Sequence, residues 1–391
     1  VLLDMSPPKL EMLLIHGMFV WDRQDLKLEA TYIWVSGGIW ELGTEAEPFV
    51  NNAEIILHGD KWTTIEMPRI GNKMLATSPN RSIGRLGQMD IHGKVRQRVW
   101  TFLAETALKG ATTLKLREPV DWVEDERILV TSSAGLGQIE ESTVLSSSGT
   151  TVTLKTPLKH DHKVDTFAGG SYGFPDTVMT CEVALLSRNI KIHGDYNSKK
   201  QKYGVHTMAA VGALQRFENA EVFHCGQQGN LGRYCTHFHL SSILHDGYVK
   251  ANSIHHSFQR AVTIHGVWYA KITDNVAYDV AGHTIFVEDG AEKWNRIEGN
   301  LVALTRKNPV MLSSDMKPAN FWQQIPTNYW RHNVAAGSVA FGFWFELTGR
   351  PTGPSRTMDL CPFNEHIGEF KNNSAHSSSI GLRIYPGWNP K

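Results

Sequence analysis

The stretch NSIHHSFQRAVTIHGVWYAKITDNVAYDVAGHTIFVEDGAEKWNRIEGNLVA (252–303) is a series of short apolar runs, each reopened after an asparagine. The runs are too short for amphipathic helices and are rich in Val, Ile, Thr and Tyr, which favours strands. Asn252, Asn275 and Asn300 stand 23 and 25 residues apart, about the length of one coil of a β-solenoid. Outward from this stretch the same punctuation recurs in RNIKI (188–192), ENAEV (218–222), HNVAA (332–336) and NNSAH (372–376). The wider spacings of 30, 33, 33 and 40 leave room for inserted loops. Asparagine tolerates the left-handed conformation of a corner, and stacked carboxamides hydrogen-bond along an axis. The pattern therefore predicts an all-β chain wound as a right-handed parallel β-helix, apolar inside, with asparagine ladders at its corners.

A second punctuation is His-Gly, which closes LLIHG (13–17), IILHG (55–59), MDIHG (89–93), IKIHG (190–194) and VTIHG (262–266). Glycine after a polar last side chain fits a strand followed by a sharp turn. Between residues 94 and 165 the asparagine signal lapses. Strands such as Thr112–Leu116, Arg127–Thr131, Ser142–Leu145 and Thr151–Leu154 are joined there by Gly- and Ser-containing turns, as in a separate β subdomain. Glycine and proline cluster at Gly169–Pro175, which predicts two units, residues 1–170 and 171–391, the second holding the regular coils.

Composition narrows the function. The 391 residues carry 39 basic and 39 acidic side chains, so no general cationic field draws nucleic acid or an anionic membrane. The uncharged stretch Val334–Phe345 is shorter than a membrane helix. The opening VLLDMSPPKLEM lacks the pattern of a signal peptide and reads as the start of an excised or processed piece. Four cysteines (181, 225, 235 and 361) are too few for a disulfide scaffold, but Cys225 and Cys235 are a candidate bridge. Asn80-Arg81-Ser82 and Asn372-Asn373-Ser374 are glycosylation sequons, with Asn80 and Asn372 as acceptors in a secreted protein. No phosphate loop and no HExxH motif occurs.

WVSGGIWELGTEAEPF (34–49), IILHGD (55–60) and RVWTFLAETALKGATTLKLREPVDWVEDERILV (98–130) resemble a G8 domain. EVALLSRNIKIHGD (182–195), THFHL (236–240), NSIHHSFQRAVTIHG (252–266), GHTIFVEDGAE (282–292) and FGFWFELTGRPTGPS (341–355) resemble the parallel β-helix repeats that follow it in the fibrocystin family. The hyaluronan-depolymerising cell-surface proteins of the same superfamily are similar too. GTEAEPF (43–49) and LSSDMKPANFW (312–322) look closer to the fibrocystin branch. The resemblance implies a noncatalytic structural or adhesive segment within a longer ectodomain, at an extracellular, cell-surface or ciliary location. Its expected partners are other domains, surface proteins and glycans, with no cofactor.

The alternative is a glycan-processing enzyme of the hyaluronidase kind, the one reading in which calcium enters. Resemblance to that branch matches Arg188 to an arginine that contacts the glycan, and a guanidinium suits a uronate carboxylate. Asp195, Glu288 and Asp289 are the candidate acids, since glycoside hydrolysis normally needs two carboxyl groups. The sequence does not place two of them in register. Nine of the 18 histidines fall between residues 206 and 283, and the i, i+2 spacing of His237 and His239 turns both to one side of a strand. Together with His255, His265 and His283 they form either a sugar or metal site beside Glu288 and Asp289, or a structural row bonded to carbonyls. Trp268, Tyr269, Trp294, Trp322, Trp330 and Trp344 are candidate sugar platforms, with core packing expected for most. In FGFWF, alternation assigns Phe341, Phe343 and Phe345 to one face and Trp344 to the other.

Overall fold

The computed structural model describes residues 1–170, 173 and 175–391. Its body is a parallel β-helix of three faces. The first face is a ten-stranded sheet running from Leu2–Leu3 through Gln88–His92, Leu214–Glu218 and Lys271–Thr273 to Glu369–Lys371. The second and third faces are the two arms of a 16-stranded sheet, joined where long strands cross a corner: Leu26–Ser36 near one end, Val334–Phe345 and Ser374–Ile384 near the other. Strands pair with their equivalents one coil away in parallel, as in Ile190↔Ala220, Val222↔Ile254 and Ile254↔Ala277. Each coil satisfies its backbone groups from the coils above and below. Ile55, Ile192, Val222, Ile254, Phe238, Ile264, Val249 and Trp330 fill the interior.

The asparagine ladder occupies the corner between first and second faces. Asn275 donates from its amide (3.0 Å) and its carboxamide (2.9 Å) to Asn300 Oδ1. Asn300 does the same to Asn333 at 3.1 and 2.9 Å, and Asn333 to Asn373 at 3.0 Å from both groups. Asn252 begins the series, donating to Asn275. The left-handed residue is not the ladder asparagine but the one before it: Ala251, Asp274, Gly299, His332 and Asn372, with φ between 52 and 67°. Asn219 takes that left-handed place (φ 53°), so Ala220 stands where a ladder carboxamide would. Asn189 aligns with Asn219 and bonds instead to the Phe49 and Asn51 carbonyls. A second, shorter ladder, Asn295 on Asn328, marks the corner between third and first faces.

The parallel stack does not begin at residue 171. Strands from Leu2–Leu3 to Gln88–His92 already form coils of it, and Ile190–Gly194 pairs directly on Ala53–Leu57. These early coils escaped the asparagine signal because glycine turns their corners; Gly43 (φ 75°) packs so closely on the His92 carbonyl and the Phe49 amide that no side chain fits. The expected break at 170/171 falls partly on residues outside those described. The five His-Gly strands lie on three different faces, and Val262–Trp268 runs on past Gly266.

The subdomain expected over 94–165 is an antiparallel sheet of Thr113–Lys115, Thr151–Leu154, Glu140–Ser148, Arg127–Val130, Glu182–Leu185 and Trp100–Phe102, in that order. It is inserted between the first and second faces of a single coil, leaving after His92 and returning at Asn189, whose Oδ1 accepts the Lys94 amide at 2.9 Å. Leu114, Trp122, Ile128, Val144 and Val152 build its own core. Its Leu129, Ala184 and Leu186 cover the outward side chains of the second face, Val276, Tyr278, Leu301, Ala303, Val334 and Ala336. This explains why those outward positions are apolar.

Candidate functional site

With the second face covered, the outward side of the third face carries the chemistry. Alternation in Thr236–Ile243 turns Phe238 into the core and His237 and His239 outward. Register then aligns His237 with Thr263, Phe286, Trp322, Trp344 and Arg383, and His239 with His265. The upper part of this row is aromatic: Phe286 and Trp322 stack at 4.1 Å, and the Arg383 guanidinium sits 4.9 Å from the Trp344 ring. Phe341 joins Trp344 in this outer cluster, whereas Phe343 and Phe345 pack in the core.

The lower part is polar. His237, His239 and His265 offer three ligand atoms within 4.8 Å of one another. His237 Nδ1 lies 3.1 Å from the Gly232 carbonyl, and His265 Nε2 lies 2.9 Å from Asp289 Oδ2. The loop that supplies Gly232 is closed by the Cys225–Cys235 disulfide. Burial pushes His237 well below the usual imidazole range, and burial with the neighbouring His265 brings His239 down to about 4. Burial alone would depress His265 as well, but the hydrogen bond to Asp289 and the nearby Glu288 carboxylate raise it. Glu288 is itself raised by burial. The turn after Val287 is held by Glu292, whose buried carboxylate accepts the amides of Gly266, Asp289, Gly290 and Ala291 at 2.8–3.0 Å.

His255 does not join this cluster. It lies on the second face, its Nε2 3.2 Å from Glu221 and its ring stacked on Phe223. His283 belongs to a neighbouring group, with Nδ1 accepting the Ala319 amide and Nε2 3.9 Å from Asp315. Asp315 pairs at 3.1 Å with Arg260, a fully buried guanidinium 3.4 Å from the centre of the Phe286 ring. Neither Arg260 nor Asp315 had a signal in the sequence beyond its charge.

Arg188 and Asp195 stand apart from the histidines, and Arg188 borders a separate cleft of about 330 Å³ beside Lys94, Arg96 and Glu126. Arg188 is 3% exposed, pushed down to about 10 by burial, and donates to the Leu185, Ser187 and Ala251 carbonyls. Its role is to bind the returning end of the insertion to the corner. Asp195 forms a buried ion pair at 2.7 Å with Lys73, which is fully enclosed, and accepts the Gly59 amide. Neither side chain contacts the histidine cluster.

Two open clefts flank these elements. The larger, about 630 Å³, lies between segment 95–102 and the first corner and is lined by Glu118, Glu218, Lys250, Asp274 and His332. The second, about 520 Å³, adjoins the histidines and is lined by Leu240, Ser242, Trp268, Lys293, Trp294 and Thr357. At its edge His245, Tyr269 and Trp294 stack over successive coils at 4.4 and 5.3 Å, and Trp294 is 40% exposed. Trp322, Trp330 and Trp344 are buried. Of the sequons, Asn372 is exposed, and Asn80 is half-buried with its carboxamide near His16 and the Ser36 carbonyl.

The G8 domain model matches residues 1–104, and the CEMIP beta-helix model matches residues 202–382. Fibrocystin-L of Homo sapiens is 34% identical over 440 aligned positions, which take in 100% of this chain and 10% of that protein. Fibrocystin-L of Mus musculus gives the same identity and coverage. Communication mutant protein F of Dictyostelium discoideum is 28% identical, over 96% of this chain and 34% of its own length. The chain thus spans about a tenth of the fibrocystin-L proteins it matches. Among the described residues no helix is long and apolar enough to cross a membrane.

Proposed function

Because the chain belongs to the fibrocystin-L family, joining a G8 domain to a CEMIP-type β-helix, we propose that it is a noncatalytic structural and adhesive segment of a larger extracellular or ciliary-surface protein, and that it binds glycans. One observation carries the glycan part: the exposed ladder of His245, Tyr269 and Trp294 beside a cleft floored by Trp268. Tyr269 is sandwiched between the other two rings, so Trp294, 40% exposed and held rigidly by the stack, supplies the ring surface that suits the apolar face of a sugar. The structural part is supported by a continuous parallel stack braced by buried amide ladders. The enzymatic alternative loses its arginine, since Arg188 is occupied by three carbonyls.

Binding of fluorescent oligosaccharides, hyaluronan fragments among them, tests the reading, with polymer sizing run in parallel. Trp294→Ala is expected to weaken binding about tenfold or more without changing polymer length. Depolymerisation by the purified chain would replace this reading with the enzymatic one, and Trp294→Ala binding as wild type would remove the groove.

A further inference from the structure

Neither the stack nor the aromatic groove explains the three imidazoles that converge from neighbouring coils on the third face. The partner of one ring nitrogen fixes the state of the other. His237 Nδ1–H donates to the Gly232 carbonyl, so Nε2 carries a bare lone pair, and that atom is buried without a hydrogen-bond partner. Asp289 holds the proton on His265 Nε2, which leaves the lone pair on Nδ1. His265 Nδ1 faces His239 Nδ1 at 3.2 Å. Glu288 Oε2 lies 3.7 Å from the same nitrogen and is likewise buried and unpartnered.

A hydrogen bond between His239 and His265 accounts for one of these contacts. It leaves a buried imidazole nitrogen and a buried carboxylate oxygen unused, and a buried polar atom without a partner is destabilising. A metal ion would use the three converging imidazole nitrogens together, with Glu288 Oε2 beside His265 to complete the set. Two nitrogens at about 2.0–2.1 Å from a tetrahedral ion stand about 3.4 Å apart, close to the spacing of the facing pair.

We propose that His237, His239 and His265, with Glu288 as the fourth ligand, bind one divalent first-row transition metal of the zinc or cobalt class. Three neutral imidazoles select such ions over calcium, which takes oxygen ligands. Asp289 and the Gly232 carbonyl orient two of the ligand rings from behind. The disulfide holds the Gly232 loop in place, and binding draws the parallel rings of His237 and His265 together about the ion. His239 is the half-buried member and opens toward Leu240, on the side of the aromatic cleft.

The test uses the whole chain, stripped with a chelator, dialysed and titrated with Co²⁺. About one equivalent is expected to bind, with visible ligand-field bands that Zn²⁺ bleaches and a rise in Tm. His265→Ala is expected to abolish the bands, Glu288→Gln to weaken affinity about tenfold or more, and His332→Ala to leave binding unchanged. If His265→Ala fails to fold, His239→Gln, at the more open position, is judged by the same bands and by its Tm in metal-free buffer. Absence of bands and of any Tm shift in wild type at millimolar Co²⁺ or Zn²⁺ overturns the proposal. Bands that persist in both His265→Ala and His239→Gln overturn it equally.

Discussion

Replacing Asn300 by alanine tests how much the corner ladder holds. The Asn300 carboxamide accepts from the amide and side chain of Asn275 and donates to the Ile272 carbonyl (2.8 Å) and to Asn333 Oδ1 (2.9 Å). The residue is fully buried, so water replaces none of these contacts. Truncation leaves the Asn275 amide without that acceptor, a loss of about 1–3 kcal/mol, and removes three more hydrogen bonds at about 0.5–1.5 kcal/mol each. Neighbouring losses overlap, so the expected cost is about 4 kcal/mol. Asn300→Asp should cost more, because it keeps the acceptor but sets a buried charge against Asn333 Oδ1. Asn373→Ala, at the half-buried last rung, should cost about 1–2 kcal/mol. Urea unfolding followed by circular dichroism measures all three, with loop Asn230→Ala as control. If Asn300→Ala costs no more than the control, the ladder is a passive consequence of stacking and the reasoning fails.

Gly204→Ala should cost at least about 2 kcal/mol, because a Cβ there overlaps the His224 carbonyl, a backbone group that has nowhere to move; a Tm within a degree or two of wild type would contradict this. Acid should destabilise the fold well before carboxylates titrate. Burial lowers His206, His224 (to about 4) and His283 (to about 3) below their unfolded value, so the unfolded chain takes up protons first. Stability present above about pH 6.5 is then lost as pH falls toward 4, at about 1.4 kcal/mol per pH unit per proton. The raised His265 and His376 oppose this, but they are fewer. A Tm that is flat or rises between pH 7 and 5 would refute it. Replacing Cys225 and Cys235 together by alanine should cost about 2.5–3 kcal/mol for a loop of 10 residues, read by thermal unfolding, and equal Tm in oxidised and reduced wild type would argue against it.

The later coils were legible because their corners demand a particular residue. Asn252, Asn275, Asn300, Asn333 and Asn373 recur since only a carboxamide both donates and accepts along the axis. The early coils were not, because glycine meets the same corner by fitting a close backbone approach and leaves no period. Asn219 misled by one residue: asparagine satisfies the left-handed place as well as the ladder place, and only pairing with Asn252 separates them. His237 and His239 could be read from spacing alone. That His265 meets them while His255 does not depends on the turn at 256–261, which passes the chain from the second-face strand Ser253–His255 to the third-face strand Val262–Trp268. The resemblance alone made Arg188 a glycan contact, and nothing in its local sequence showed that it would be enclosed. Its burial comes from the insertion, whose strands return to the stack beside it.

The insertion also bears on the order in which the chain acquires structure. Its ends are adjacent in space, with Lys94 bonded to Asn189, yet 95 residues separate them in sequence. Closing that gap costs about 4 kcal/mol of chain entropy by the logarithmic loop rule, in a single step. As the chain leaves the ribosome, the coils before residue 93 therefore present an unpaired edge until the inserted sheet has been made and the strand beginning at Ile190 arrives. The insertion, with a core of its own, can fold during that interval. Its completion brings the two broken halves of one coil within reach, so the sheet that later shields the second face first serves as a clasp for the growing stack.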